Sequence, residues 1–243
     1  MEHEIVRSAL NTNGFGFNAD LTVAEKKALN ASWESLPDFC GNRNALAVVD
    51  TSGSMYWYDN ALPAAVALSL GLYFGERNTG VFHNCFIEFS AHPQLIEIKG
   101  KTFTEKPEYL CTFNEVADTN AEAVFNLILD AAVRNNVPKE ELPETMYLIS
   151  DMEFNCCVRN ASLSDFENAK RRFEEHGYKL PQIVFWNVAS RNRNQPVTKN
   201  EQGAAPVSGC TPRLFSVAAG GDLSPYSVMR EIIGSERYSK ISA

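Results

Sequence analysis

Residues 45–57 read ALAVVDTSGSMYW. The opening ALAVV is a short continuous apolar run with two valines, which suits a strand buried on both faces of a parallel sheet. The run stops at Asp50, and three of the next four residues are Thr51, Ser52 and Ser54, with Gly53 allowing a tight bend. Residues 63–78, PAAVALSLGLYFGERN, then show helical apolar spacing, with Pro63 suited to a first helical turn. The stretch predicts a strand, a polar loop and a helix. One carboxylate and two hydroxyls brought together on that loop are hard oxygen donors, which select Mg²⁺, Mn²⁺ or Ca²⁺ over zinc or copper. So few charges leave a small octahedral ion short of neutrality, and it takes a further carboxylate.

Outward from this stretch the pattern repeats. NCFIEFS (84–90) and QLIEIKG (94–100) are strand-like and separated only by Ala91, His92 and Pro93, a spacing that predicts an antiparallel hairpin. AEAVFNLILDAAVRNN (121–136) is helical, with Thr119 or Asn120 as its cap. TMYLISD (145–151) is a second buried strand that ends at a carboxylate, Asp151, and SLSDFENAKRRFEEHGY (162–178) a helix with Ser164 as cap and Gly177 as stop. QIVFWNV (182–188) is a strand, and RNRNQPVTKNEQGAAP (191–206) reads as a long surface loop. RLFSVAAG (213–220) is a last strand or a helix, and SPYSVMREIIG (224–234) a helix. Strands alternating with helices predict an α/β, doubly wound, Rossmann-like fold in three α/β/α layers, its mostly parallel central sheet carrying one antiparallel edge strand. Residues 44–243 form one domain on this reading. Residues 1–43 form a partly helical N-terminal arm, in which LTVAEKKALNASWESL (21–36) is the helix-like part.

The bulk numbers exclude several classes of function. With 22 Lys and Arg against 30 Asp and Glu, the net charge of −8 offers no electrostatic footprint for nucleic acid or anionic membrane. The short basic runs at 170–172 and 191–193 read as solvated faces. No segment is long and apolar enough for a spanning helix, and the N-terminus MEHEIVRSAL is too charged for a secretory signal, so a cytoplasmic protein is expected. The six cysteines are scattered without C-x-x-C pairs and are expected as reduced thiols. His83, Cys85 and His92 lie in a strand context that favours packing over zinc.

The segment D-T-S-G-S at 50–54 resembles the D-x-S-x-S motif of von Willebrand factor A (vWA) domains. In that family the motif belongs to a metal-ion-dependent adhesion site, to which a second and a third loop add a Thr and an Asp. The resemblance implies Asp151, in LISDMEF, for the Asp, and Thr119, in DTNAEAVF directly before a helix, for the Thr, with Thr112 as the rival. It covers roughly residues 44–235, and VVDTSGSM with SDMEF looks most like the branch found with Ro-type ribonucleoproteins and with uncharacterised viral, bacterial and plant proteins. In that branch the A domain follows a large helical module, which 43 residues cannot build, so direct RNA contact is not expected.

The implied function is recognition without turnover. Asp50, Ser52, Ser54, Thr119 and Asp151 would hold Mg²⁺, Mn²⁺ or Ca²⁺, and a partner protein's Asp or Glu would complete its shell. The alternatives are a Mg²⁺-dependent phosphohydrolase and a ribonucleoprotein or phage-type assembly component. Aspartate-nucleophile phosphatases resemble D-x-D-x-T, whereas Ser52 stands here where the second carboxylate would be, and neither a G-x-S-x-G elbow nor a phosphate-binding G-x-x-x-x-G-K-[ST] occurs. Glu153 and the adjacent Cys156 and Cys157 are left outside the site. Met55, Tyr56, Trp57 and Tyr58 read equally as the rim of a partner surface or as packing at a helix base.

Overall fold

The computed structural model describes residues 2–10, 18, 20–41, 43–57, 62–110, 113, 120–151, 163–189, 204–208, 230, 233 and 234. Among these residues six strands form one sheet: β1 (Ala45–Asp50), β2 (Cys85–Phe89), β3 (Gln94–Glu97), β4 (Thr145–Ser150), β5 (Gln182–Asn187) and β6 (Ala204–Ser208). Their spatial order is β3-β2-β1-β4-β5-β6. All neighbours run parallel except β2 and β3, whose antiparallel pairing sets Cys85 opposite Glu97. This is a Rossmann-like α/β sheet of the vWA type with one antiparallel edge strand.

The helices are α1 (Glu2–Ala9), α2 (Val23–Glu34), α3 (Gly53–Trp57), α4 (Leu62–Arg77), α5 (Glu105–Leu110), α6 (Ala121–Arg134) and α7 (Leu163–Glu175), with a 3₁₀ turn at Lys139–Glu141. Because side chains alternate across a strand, β1 sends Ala45, Ala47 and Val49 into one core with α4 and α1, and Leu46 and Val48 into a second core with α6 and α7. The sheet is thereby sandwiched between two helical layers. On α7, Phe166, Ala169 and Phe173 form the stripe that enters the second core. No described helix is long and apolar enough to cross a membrane.

Helix α4 is buried from Pro63 to Gly75 because both of its sides are covered. One side rests on the sheet. On the other lies α1, whose Val6 and Ala9 are fully buried, and α2 is tied on by the Trp33 indole N–H, which donates to Glu76 Oε2 at 2.9 Å. Lys106 of α5 reaches the other Glu76 oxygen at 2.8 Å. Thr22 opens α2 with a reciprocal capping box with Glu25. Neither α1 nor α5 is foreseen in the sequence reading, since both are short and α1 carries charges along its exposed side.

The sheet and α4 touch closely at Gly71, where a Cβ would lie 2.7 Å from Val49 Cγ2. An alanine for glycine in a helix interior ordinarily gains about 1 kcal/mol. Here the neighbour is a buried β-branched side chain of β1, and overpacking costs about 1–3 kcal/mol. Gly71→Ala should therefore lower stability by up to about 2 kcal/mol in urea unfolding; a higher midpoint would refute the close approach.

Two expectations are corrected and one left open is decided. Residues 204–206, read as the end of a surface loop, lie in β6: the run AAPVS has no strand-like composition, and Pro206 is tolerated because β6 is at the edge of the sheet among the described residues. Helix α7 begins at Leu163, so Ser164 lies inside its first turn and not before it. Met55 and Tyr56 are 0% and 4% exposed, which assigns them to packing against α4 and not to a partner-facing rim. The cap of α6 is Asn120, whose side chain accepts from the Ala123 N–H, and Gly177 ends α7 with a positive φ of 79°. Thr112, Thr119, Tyr58, Glu153, Cys156, Cys157, the basic run 191–193 and residues 213–220 lie outside the described residues, as does most of 224–234.

Candidate metal centre

The strand order changes direction between β1 and β4, since β1 continues through α4 to β2 on one side and β4 through α7 to β5 on the other. Ligands of such sheets bind at that switch point, in the crevice beyond the carboxyl ends of the strands. Asp50 is the last residue of β1, and Asp151 directly follows β4. Both are buried, at 3% and 1% exposure.

The loop after β1 folds back over Asp50. The Ser52 N–H donates to Asp50 Oδ1 at 2.9 Å, and the Met55 N–H to the Ser52 carbonyl at 3.1 Å, turning the chain into α3. This brings Ser52 Oγ and Ser54 Oγ to 3.1 Å from each other, both half-buried. From the neighbouring strand, Ser150 Oγ donates to Asp50 Oδ2 at 2.5 Å. The register explains that bond: Val49 lies opposite Ile149, so Asp50 and Ser150 follow as the next step of the ladder. Ser150 in turn pairs with Asn187 and Asn187 with Ser208, so a polar row crosses the carboxyl ends of four parallel strands.

Burial is the main force on Asp50. It pushes the carboxyl up from an ordinary 3.8 to about 6, against the hydrogen bonds from Ser150 and Ser52, and the negative charge of Asp151 pushes the same way. A divalent cation among these oxygens would offset the negative charge of Asp50 and Asp151.

The residues present fit a hard divalent ion. The donors are carboxylates and hydroxyls, the oxygen ligands that suit such an ion; among the described residues no group of three or more His, Cys, Asp or Glu side chains is gathered to hold a metal. His83 instead rests its Nδ1 2.7 Å from the Asn78 carbonyl, and Cys85 and Cys40 are free thiols. Cys40 is buried, which pushes its thiol up to about 12. In the run at 170–172, Lys170 and Arg171 are exposed on α7, where Arg171 pairs with Glu175, and half-buried Arg172 bonds Asn126 of α6.

Asp50, Ser52 and Ser54 are thus joined by direct or relayed hydrogen bonds, and Asp151 stands across the switch point. Thr119 lies outside the described residues. Sequence reasoning missed Ser150, hidden as the penultimate residue of the strand-like TMYLISD; strand register was the signal that would have aligned it with Asp50. It also missed Glu88 of β2, whose carboxylate accepts the Thr51 hydroxyl at 3.1 Å.

Residues 44–224, which hold every candidate ligand, match the family described as Domain of unknown function (DUF7788). The chain belongs to the DUF7788 family. A relative of this DUF7788 chain is an uncharacterized protein of Acanthamoeba polyphaga mimivirus, 29% identical over 233 residues, covering 95% of the chain and 39% of the viral protein. Among solved structures, the Ro (RSR) protein of Deinococcus radiodurans superposes with a TM-score of 0.57 at 14% identity, covering 91% of this chain and 44% of that one. At that identity the likeness is one of fold. The DUF7788 chain spans about two fifths of the length of each.

Proposed function

We propose that this chain is a cytoplasmic, non-enzymatic protein-binding module. In it Asp50, Ser52, Ser54, Thr119 and Asp151 hold Mg²⁺, with Mn²⁺ or Ca²⁺ as alternatives, and the partner is a protein that offers an Asp or Glu carboxylate. The observation that supports this most is the pairing of two buried carboxylates from β1 and β4 with two hydroxyls 3.1 Å apart at the switch point. When bound there, a divalent cation would supply Lewis acidity toward an incoming carboxylate. Asp50 is oriented by the Ser52 N–H and Ser150 Oγ, so its lone pairs are fixed before any ion arrives. Ser52 and Ser54 donate oxygen without charge, so a dication held with Asp50 and Asp151 is not over-neutralised and keeps its attraction for an acidic side chain. In a partly desolvated crevice that attraction exceeds its value in water. The free, buried Cys40 accords with a reducing compartment.

The test is capture of partners on immobilised full-length chain in Mg²⁺ and in EDTA, beside Ser52→Ala. Proteins held by the wild type in Mg²⁺ should be lost in EDTA and on Ser52→Ala, and lost again when the partner's contacting Asp or Glu is changed to the amide. Retention of the same proteins in EDTA would contradict the proposal.

A further inference from the structure

We propose that Glu88 of β2 is a positioning residue for the cation loop, acting through Thr51; this rests on the site reading above. Glu88 is 2% exposed and sits in the otherwise apolar strand CFIEF. A carboxylate there is costly to bury unless hydrogen bonds hold it. Its Oε1 accepts the hydroxyl of Thr51, itself 3% exposed, at 3.1 Å. Thr51 stands between two ligands of the loop, Asp50 and Ser52.

Register and alternation explain why the contact forms on this side. Asp50 lies opposite Phe89, and both belong to the face covered by α6 and α7; Glu88 and Thr51 point to the opposite face, toward α4. The loop is therefore held from two directions. Ser150 fixes the Asp50 carboxylate from β4, and Glu88 fixes the next residue from β2. Anchoring Thr51 sets the Thr51–Ser52 peptide, and the N–H of that peptide is the one that donates to Asp50 Oδ1. Glu88 thus governs the direction of Asp50 and the start of the Ser52–Ser54 pair without itself being a ligand. The same end of β2 carries a second buried polar group, Ser90, whose Oγ has no hydrogen-bond partner among the described residues.

The experiment is calorimetric titration of the chelator-stripped full chain with Mg²⁺, using wild type, Thr51→Val, Thr51→Ser, Glu88→Met, Glu88→Gln and the Thr51→Val/Glu88→Met double variant. Thr51→Val and Glu88→Met should each weaken Mg²⁺ binding about 10-fold or more, the range found when partners that orient metal ligands are removed. Thr51→Ser and Glu88→Gln, which keep the donor and the acceptor, should stay near wild type. The double variant should be no weaker than either single one, because both break the same bond. A merely structural role would lower the melting temperature in chelator and leave the Mg²⁺ affinity of the folded protein unchanged. If Glu88→Met does not fold, Thr51→Val, which keeps the side-chain shape, decides. Wild-type Mg²⁺ affinity in Thr51→Val overturns this inference alone. A wild type that takes up no Mg²⁺ overturns the site reading and this inference with it.

Discussion

Asp50→Asn should abolish Mg²⁺ binding and, in the same protein, raise the stability of the chelator-stripped chain at neutral pH. The first effect follows from the removal of a carboxylate that already receives the Ser52 N–H and Ser150 Oγ and so points in a fixed direction. No hydroxyl in the loop replaces its charge. The second follows from burial. The Asp50 carboxyl is held at about 6 in the folded chain against an ordinary 3.8. A group whose folded value is raised binds its proton more tightly folded than unfolded. Its contribution is therefore favourable at low pH and is lost as pH rises from about 4 to about 6. A difference of this size corresponds to about 3 kcal/mol, all of it missing by pH 7.5. The metal-free wild type should accordingly gain stability on going from pH 7.5 to pH 5, and Asp50→Asn should lose most of that dependence. Urea unfolding at the two pH values, with and without Mg²⁺, measures both. Equal pH dependence in wild type and variant would show that Asp50 does not carry this penalty.

Phe74→Ala should cost about 3–5 kcal/mol, a large share of the stability of an ordinary domain. Phe74 of α4 stacks on Tyr147 of β4 with ring centroids 4.3 Å apart and planes 11° from parallel, and Tyr147 leans on Trp186 of β5 at 6.2 Å. All three are buried. Their rings join α4 to the two strands on the far side of the switch point, so a void there loosens the frame that sets Asp50 against Asp151. Phe74→Leu should recover part of the loss by refilling volume, though not the aromatic stacking. Thermal unfolding of the two variants reads this directly, and a Phe74→Ala protein within about 1 kcal/mol of wild type would contradict the packing account.

The fold was legible wherever a single local pattern decided an element. ALAVVD and TMYLIS are apolar runs too short for a buried helix and so read as buried strands, and the three-residue gap after Ser90 forces β3 to return antiparallel. β6 was not legible because AAPVS is defined by its pairing with β5, an interaction between residues far apart in sequence. Helix α1 escaped for a similar reason: its burial is created by the outer side of α4, which the sequence does not announce as needing cover. At the site, Asp50, Ser52 and Ser54 share one turn and could be read together. Ser150 and Glu88 reach that turn from neighbouring strands through register, which no spacing along the chain encodes.

The central claim is that β1 ends in a divalent-cation site, and the most direct measurement is calorimetric titration of the chelator-stripped wild-type chain with Mg²⁺ at pH 7.5. The account predicts uptake of one ion per chain, lost in Ser52→Ala that keeps its fold by circular dichroism. No heat of binding at millimolar Mg²⁺, with the protein folded, would reduce the D-T-S-G-S turn to a hydrogen-bonded strand end and leave the site without its metal.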